Sequence, residues 1–536
     1  MAIQQQFHQV RNFTYGINRY AMADLENAIL TLDYFIDKCL KENSSTVVSH
    51  AVSQLITTTI VFNFTPQFNA LQCGGACDIQ VQVPQISDHH LRAMARLTFS
   101  NQSEESHKDE LCQVIINRRA VDNHERFQVD VDRNQDEILK IKEISRRKDP
   151  IHSHSFPVRP QDLNQSGFVP TACYVTYCQH AASHAIYCKH LPGAQNFTHI
   201  LRLARMQIYV LSLVREENLL VEIWQQNVAE RFIIDFRITS KDGIVCVASF
   251  DVNTHFKAEK LPFYEIPLQR SETCCNYDVP GFYRLRDRFN NAKLDTMLSY
   301  KVALDKMTMD IADIFGVRAA YSDGRFFPVR HEVKIAPGFY SILPDALVKC
   351  SIQLASMNRT SVIFDHILKV GSNKLLTIST KLVSVNHGRV ANIPDSIMLL
   401  EALAPLLNKK SYSKVTCPNQ IPIKAFKYSF TIRSNDIDIN QHVNNAVYIS
   451  ACFDAASKAV SSGSSAYRTS FGRDFNPACL TELSASYYKQ MFEHQLLDTF
   501  TWQDEDDDKL HFVMKHENVN IFYMTGNYSV KQISKL

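Results

Sequence analysis

The sequence has almost no charge imbalance. Lys and Arg number 57 against 55 Asp and Glu, a formal net charge of only +2. Wholesale nucleic-acid binding needs a basic footprint, so this balance excludes it; Arg146-Arg147-Lys148 reads as a solvated linker. Long apolar runs are also missing. None approaches the roughly 18–20 residues of a membrane helix, the longest, such as 208–214, are strand-sized, and no secretory h-region opens the chain. The 14 cysteines include no Cys-x-x-Cys pair, so they read as buried free thiols of a reducing compartment. Cys73 and Cys77 have a loose zinc-ligand spacing, but the adjacent His89-His90 is not the usual second ligand pair. His152-Ser153-His154 has no cysteine nearby. These histidines read as surface residues, and no metal or other cofactor is predicted. The first 23 residues lack Asp and Glu but carry Arg11 and Arg19, with Phe7, Val10, Phe13 and Ile17 near one helical face. That pattern points to import into an organelle, the mitochondrion first; an ordinary N-terminal arm in the cytoplasm or another reducing organelle is the alternative.

What is present is ordinary globular protein, 45% hydrophobic and 21% charged, long enough for about three to five domains. Leu25, Ile29, Leu32, Ile36 and Leu40 predict a helix over 21–40. Strands follow over 55–64, 78–83, 91–99 and 110–117. A charged linker, 129–150, is partly helical around 138–144. Next come a short strand at 156–159, a helix over 172–187, and a meander over 206–214, 219–227, 231–240 and 244–253, with a tight turn at Asp242-Gly243. Residues 258–280 read as irregular. The plan then repeats: a helix over 293–315 and strands over 326–335, 346–355, 361–370 and 374–383. A connector over 386–419 contains a helical piece at 397–407. The last part has a strand at 427–433, a helix over 444–460, and strands at 480–491, 496–502, 511–516 and 521–530. The acidic run 504–508 is a solvated hairpin loop.

One stretch concentrates chemistry. Asp436-Ile-Asp438-Ile-Asn440-Gln441-His442-Val-Asn444-Asn445 packs two carboxylates, four amides and a histidine ahead of a small-residue helix, where free backbone N–H groups are on offer. The stretch has an internal counterpart. Residues 158–174 lie over 432–448 without a gap, at a constant offset of 274 residues, as from Arg159 to Arg433. Arg159, Asp162, Val169, Ala172 and Tyr174 are identical in register to Arg433, Asp436, Val443, Ala446 and Tyr448. The offset is close to half of the 536 residues, which points to a tandem duplication.

The D-x-D-x-N-Q-H-V-N-N-x-x-Y pattern running into a helix resembles the hotdog-fold thioesterases, most closely the acyl-ACP thioesterases of the plant type. The resemblance implies an α+β fold of four hotdog units, each a long helix wrapped by a curved antiparallel sheet, arranged as two tandem double hotdogs. The units are 1–130 (degenerate), 151–258 (degenerate motif), 281–390 and 420–536 (carrying the full motif). It further implies an acyl thioester of CoA or acyl carrier protein as substrate and a site at the seam between paired hotdogs.

By that resemblance Asp438 is the base or nucleophile. Asn440 and His442, at i+2 and i+4, orient water, polarise the carbonyl and move protons. Asn444 and Asn445, at the helix start, belong to substrate binding, with free N–H groups as the oxyanion hole. Asp436 caps its turn. The earlier copy lacks this set: Asn164, Phe168 and Pro170 stand for Asp438, His442 and Asn444, and Cys173 and Cys178 on its helix read as core. The family also keeps an acid in a later strand, where this chain has Ser486-Tyr-Tyr-Lys-Gln490-Met491. With Gln490 in that place, two readings stay open: a thioesterase of full or reduced activity, or an inactive hotdog scaffold subunit of a larger, mitochondrial, protein assembly. A dehydratase of the same fold fits the motif less well.

Overall fold

The structure is a computed structural model. It describes residues 8–14, 29, 32–33, 36–37, 56–65, 76–86, 90–100, 108–119, 135–164, 166–194, 200, 202–228, 231–253, 269–270, 274–279, 326–342, 348–386, 389–393, 416–437, 442–468, 475–504 and 508–529. The expected helices over 293–315 and 397–407 lie outside them. Contacts group the chain into two units: Met1–Glu265 with Arg433–Asn440, and Ile266–Ile432 with Gln441–Leu536.

The first unit is built on a ten-stranded antiparallel sheet. Its strands are β1 (His8–Thr14), β2 (Ile56–Phe64), β3 (Ala76–Ile86), β4 (His90–Ser100), β5 (Lys108–Arg119), β6 (His152–Pro157), β7 (Leu203–Val210), β8 (Asn218–Val228), β9 (Arg231–Ser240) and β10 (Gly243–Asn253). They lie in the order β1-β3-β4-β5-β2-β7-β10-β9-β8-β6, so β2 and β7 join two five-strand groups. Helix α1 (Gln135–Ser145) lies between the groups in sequence, and α2 (Thr171–Tyr187) belongs to the second. Ile29, Leu32, Asp33, Ile36 and Asp37 are helical too, and Ile29, Leu32 and Ile36 are fully buried, as their spacing predicts.

The second unit holds a twelve-stranded sheet. It comprises β11 (Gln269–Arg270), β12 (Cys274–Val279), β13 (Phe326–Ile335), β14 (Val348–Met357), β15 (Ser361–Val370), β16 (Asn373–Asn386), β17 (Arg389–Val390), β18 (Phe426–Thr431), β19 (Leu480–Tyr487), β20 (Leu496–Gln503), β21 (Lys509–His516) and β22 (Val519–Tyr528). The order is β11-β12-β14-β15-β16-β13-β19-β22-β21-β20-β18, with β17 on β16. Here β13 and β19 form the junction, Arg330 opposite Ser486 and His331 opposite Ala485. Helix α3 (Asn445–Ser461) follows β18 in sequence.

Helices α2 and α3 are buried around most of their circumference, with 13 of 17 residues buried in α2 and 12 of 17 in α3. A helix buried on all sides must be wrapped by other elements. Small residues permit the close approach: Ala181, Ala182 and Ala185 in α2, and Ala455, Ala456 and Ala459 in α3, are all fully buried. Alanine also carries the highest helix propensity, so packing and local preference agree. The β9–β10 hairpin turns through Lys241-Asp242, with Ser240 opposite Gly243. Gly243 has φ +127°, a conformation that suits glycine.

Three expectations change. Residues 8–14 are a strand paired with β3, not one face of a helix. The stretch 258–280 is not wholly irregular, because Cys274–Val279 pairs along β14. The strand expected over 480–491 ends at Tyr487, where the Tyr488 and Lys489 amides both turn onto the Ile521 carbonyl. Among the described cysteines, eight are free and six of those are buried, in keeping with structural thiols. No described helix is long and apolar enough to cross a membrane.

Candidate active site

The sequence repeat becomes a structural repeat at the turn before each motif. Pro160–Asp162 and Ser434–Asp436 are both 3-10 turns. In the first, the Arg159 amide donates to Asp162 Oδ2 at 3.0 Å; in the second, the Arg433 amide donates to Asp436 Oδ2 at 2.8 Å. Each carboxylate thus caps its own turn, as expected for Asp436. The arginines then exchange partners. Arg159 donates through Nη1 to Asp436 Oδ1 (3.0 Å) and through Nη2 to Oδ2 (2.7 Å), a two-pronged pair. Arg433 donates through Nη1 to Asp162 Oδ2 (2.9 Å) and through Nη2 to the Pro157 carbonyl (2.6 Å).

All four side chains are largely buried, Arg159 and Asp436 at 3% and 6% exposure and Arg433 and Asp162 at 4% and 14%. The Arg433 guanidinium lies over the rings of Phe156 (5.2 Å) and Tyr177 (5.4 Å), and the Tyr177 hydroxyl donates to Asp162 Oδ2 at 2.9 Å. Burial opposes ionisation of Asp162, but Arg433, Arg159 and the Arg159 amide outweigh it and hold its carboxyl below the ordinary value. The segment that continues into the motif therefore starts from a fixed point.

Asp438 and Asn440 lie outside the described residues. From His442 onward the motif belongs to the second unit. His442 is half-buried, its ring centroid 5.4 Å from that of Phe492. The Val443 amide donates to the Met491 carbonyl at 2.9 Å. Asn444 is the N-cap of α3, its Oδ1 accepting from the Ala446 amide at 3.0 Å. The Val447 amide donates to the Asn444 carbonyl at 2.9 Å, and the cap does not use the Asn445 amide. The Tyr487 hydroxyl donates to the Asn445 carbonyl at 3.3 Å. Burial pushes the Tyr487 phenol well up, with Tyr448 and Cys452 adding to it, so it stays a donor. The Tyr487 ring packs against Tyr448 (5.7 Å), Phe522 (5.0 Å) and His331 (5.3 Å). The start of α3 is thereby seated where β13 meets β19.

Sequence reasoning missed His331, Tyr487 and Phe492. Tyr487 sits in the very segment searched for an acid, but its neighbours come from strands remote in sequence. Gln490, which stands in for that acid, is exposed beyond the end of β19. Three residues on, Glu493 has a side chain only 16% exposed, 3.6 Å from His494 Nε2.

In the earlier copy the corresponding groups are spent on structure. Asn164 Oδ1 accepts from the amides of Ser166 (3.0 Å) and Phe168 (3.1 Å), closing a turn. Phe168 is 8% exposed, with the Arg215 guanidinium 4.1 Å over its ring. Cys173 Sγ donates to the Asp162 carbonyl at 3.6 Å. Burial, reinforced by Cys246, pushes the Cys178 thiol well up, the opposite of what a nucleophile needs.

Of the histidines read as surface residues, His152 is not on the surface, and the side chains of His89 and His90 lie outside the described residues. His152 is 7% exposed. Its Nδ1 meets His190 Nδ1 at 2.9 Å and its Nε2 meets His184 Nδ1 at 2.9 Å, while the rings of His154 and His184 stack at 4.0 Å. Among the described residues no group of three or more His, Cys, Asp or Glu is arranged to hold a metal ion. Burial, with His184 and His190 adding to it, lowers His152 from 6.5 to about 4. The folded chain then binds fewer protons than the unfolded chain between those values, so His152 contributes stability in full above pH 6.5 and loses it as pH falls to about 4. Chemical denaturation of the full chain across that window should show a falling midpoint, with a shallower fall in His152→Gln.

Residues 422–466 match the family model of the acyl-ACP thioesterase C-terminal domain. That segment contains the whole motif. Solved structures similar to this chain include one described as an oleoyl thioesterase from Lactobacillus plantarum (17% identity, 48% of this chain and 97% of that one, TM-score 0.37). The 12:0-ACP thioesterase from Umbellularia californica is 13% identical over 48% of this chain and 98% of that one, TM-score 0.37. An acyl-ACP thioesterase from Bacteroides thetaiotaomicron is 10% identical over 48% of this chain and 100% of that one, TM-score 0.37. No curated protein is a significant match to the sequence.

Proposed function

We propose that the protein hydrolyses acyl thioesters of acyl carrier protein or CoA, with one site built from Asp438, Asn440 and His442 and with Asn444 and Asn445 at the helix start. The observation that carries this reading is the family match over 422–466, which spans the full motif. In the reaction Asp438 takes a proton from water as the water oxygen attacks the thioester carbonyl carbon. The carbonyl π electrons move to oxygen, and the Asn445 amide, unused by the cap, donates to that oxyanion. Collapse breaks the C–S bond, and the departing thiolate takes a proton relayed through His442, giving a free thiol and a carboxylic acid. Asn440 orients the water. Glu493, beside the ring that covers His442, is our candidate for the acid missing at Gln490.

The same proposal arranges the chain as four hotdogs in two tandem pairs, a reading supported by sheets that each divide into two strand groups joined by one edge pair. The pair containing Asn164 and Phe168 is then without chemistry. That lost copy also favours a second reading, a scaffold subunit of a larger, mitochondrial assembly. Thiol release from acyl-ACP and acyl-CoA of medium and long chain, followed with the purified full chain, separates the two. Turnover supports the hydrolase. Absence of turnover on all of them, together with stable co-purification of partner subunits, supports the scaffold.

A further inference from the structure

The end of the His stack touches the segment that leads into the motif. The Ser434 amide donates to His180 Nδ1 at 3.2 Å, with His180 only 1% exposed. An amide N–H can only donate, so Nδ1 must be the unprotonated nitrogen. The neutral His180 ring therefore carries its proton on Nε2. That nitrogen faces His154 Nε2 at 3.1 Å, so His154 accepts there and carries its own proton on Nδ1. One backbone donor thus fixes the tautomers of two rings, His180 buried and His154 half-buried.

The surroundings leave no room for an extra proton. From β6 the groups facing His180 are His154 and the Phe156 ring, 5.4 Å away. On its own helix they are Tyr177 and His184. Beyond the rings lie Arg159 and Arg433, matched by Asp162 and Asp436 in the crossed pairs. A protonated His180 would carry a positive charge at a side chain only 1% exposed, which burial opposes. It would also turn Nδ1–H against the Ser434 N–H, setting donor against donor.

We propose that His180 is a positioning residue for the 433–437 segment and makes its hold depend on pH. The unprotonated ring pins Ser434 in the turn just ahead of Asp438; protonation releases the pin. The consequence for catalysis rests on the hydrolase reading, whereas the release itself does not.

The test is hydrogen–deuterium exchange of the 433–437 amides in the full chain, corrected for intrinsic exchange, at about pH 7.5 and about pH 4, because burial moves protonation of such a ring well below the ordinary histidine range. Wild type should lose protection at Ser434 by about tenfold or more at the lower pH. His180→Asn offers an amide oxygen where Nδ1 stood and cannot titrate, so it should keep its protection within about twofold. Equal protection of wild type at both pH values, or an equal loss in His180→Asn, overturns the proposal. His180→Ala should lack the protection at both values; if it does not fold, the wild-type and Asn arms still decide. Thioester hydrolysis measured alongside keeps the two ideas apart. A pH-dependent release without turnover fails the hydrolase reading and leaves the pin standing, while turnover without release does the reverse.

Discussion

Asp438→Asn should reduce acyl-thioester hydrolysis by about 10²–10⁴-fold, the usual contribution of a positioned general base. The substitution preserves size and hydrogen-bonding reach while removing the only group proposed to accept the proton from water. The loss should appear in kcat, with KM changed only a few-fold, because the base acts on the transition state and not on the bound acyl chain. A loss confined to KM would assign Asp438 to binding. The turn that leads into Asp438 closes on Asp436, not Asp438, so no unfolding is expected.

The second large effect concerns stability. Arg159→Met should destabilise the fold by about 3–5 kcal/mol, because it strands the Asp436 carboxylate as an unpaired buried charge. Asp436 keeps the Arg433 amide, but loses both prongs from Arg159. Arg159→Met combined with Asp436→Leu should recover much of the loss, since an apolar pair of similar volume removes the stranded charge; the remaining deficit measures the turn cap lost with Asp436. The chain has two tryptophans, and Trp224 is in the first unit, its indole N–H donating to the Lys148 carbonyl at 2.8 Å. In a Trp502→Phe background its fluorescence follows that unit through a urea titration. If the single and double substitutions cost the same, the charge argument fails.

Much of the fold could be read from residue pattern. Alternation located the strands, and an Ala-rich, small-residue run marked α3. The pattern misled where two periods overlap: Val10 and Phe13 are compatible with a helical face, and only the pairing with β3 decides for a strand. The repeat was visible as Arg159 and Asp162 over Arg433 and Asp436, but not the exchange of partners, which joins residues more than 270 positions apart. The buried histidines left a trace. His152 and His154 share a strand face, and His180 and His184 share a helix face, but nothing in sequence says that those faces meet. The Gln490 comparison assumed a strand running to Met491, whereas the sheet ends at Tyr487, so strict counting could not locate an acid beyond that point. The motif stood out because its chemistry lies in consecutive residues, although Asp438 and Asn440 lie outside the described residues.

The central claim is that the Asp438–Asn445 stretch still cleaves thioesters. It is tested most directly by the rate of free-thiol release from a long-chain acyl-ACP by the wild-type full chain, set against Asp438→Asn at equal concentration. Wild type should turn over steadily, and the variant should be slower by about two orders of magnitude or more. Equal rates, or no release by either, would contradict it.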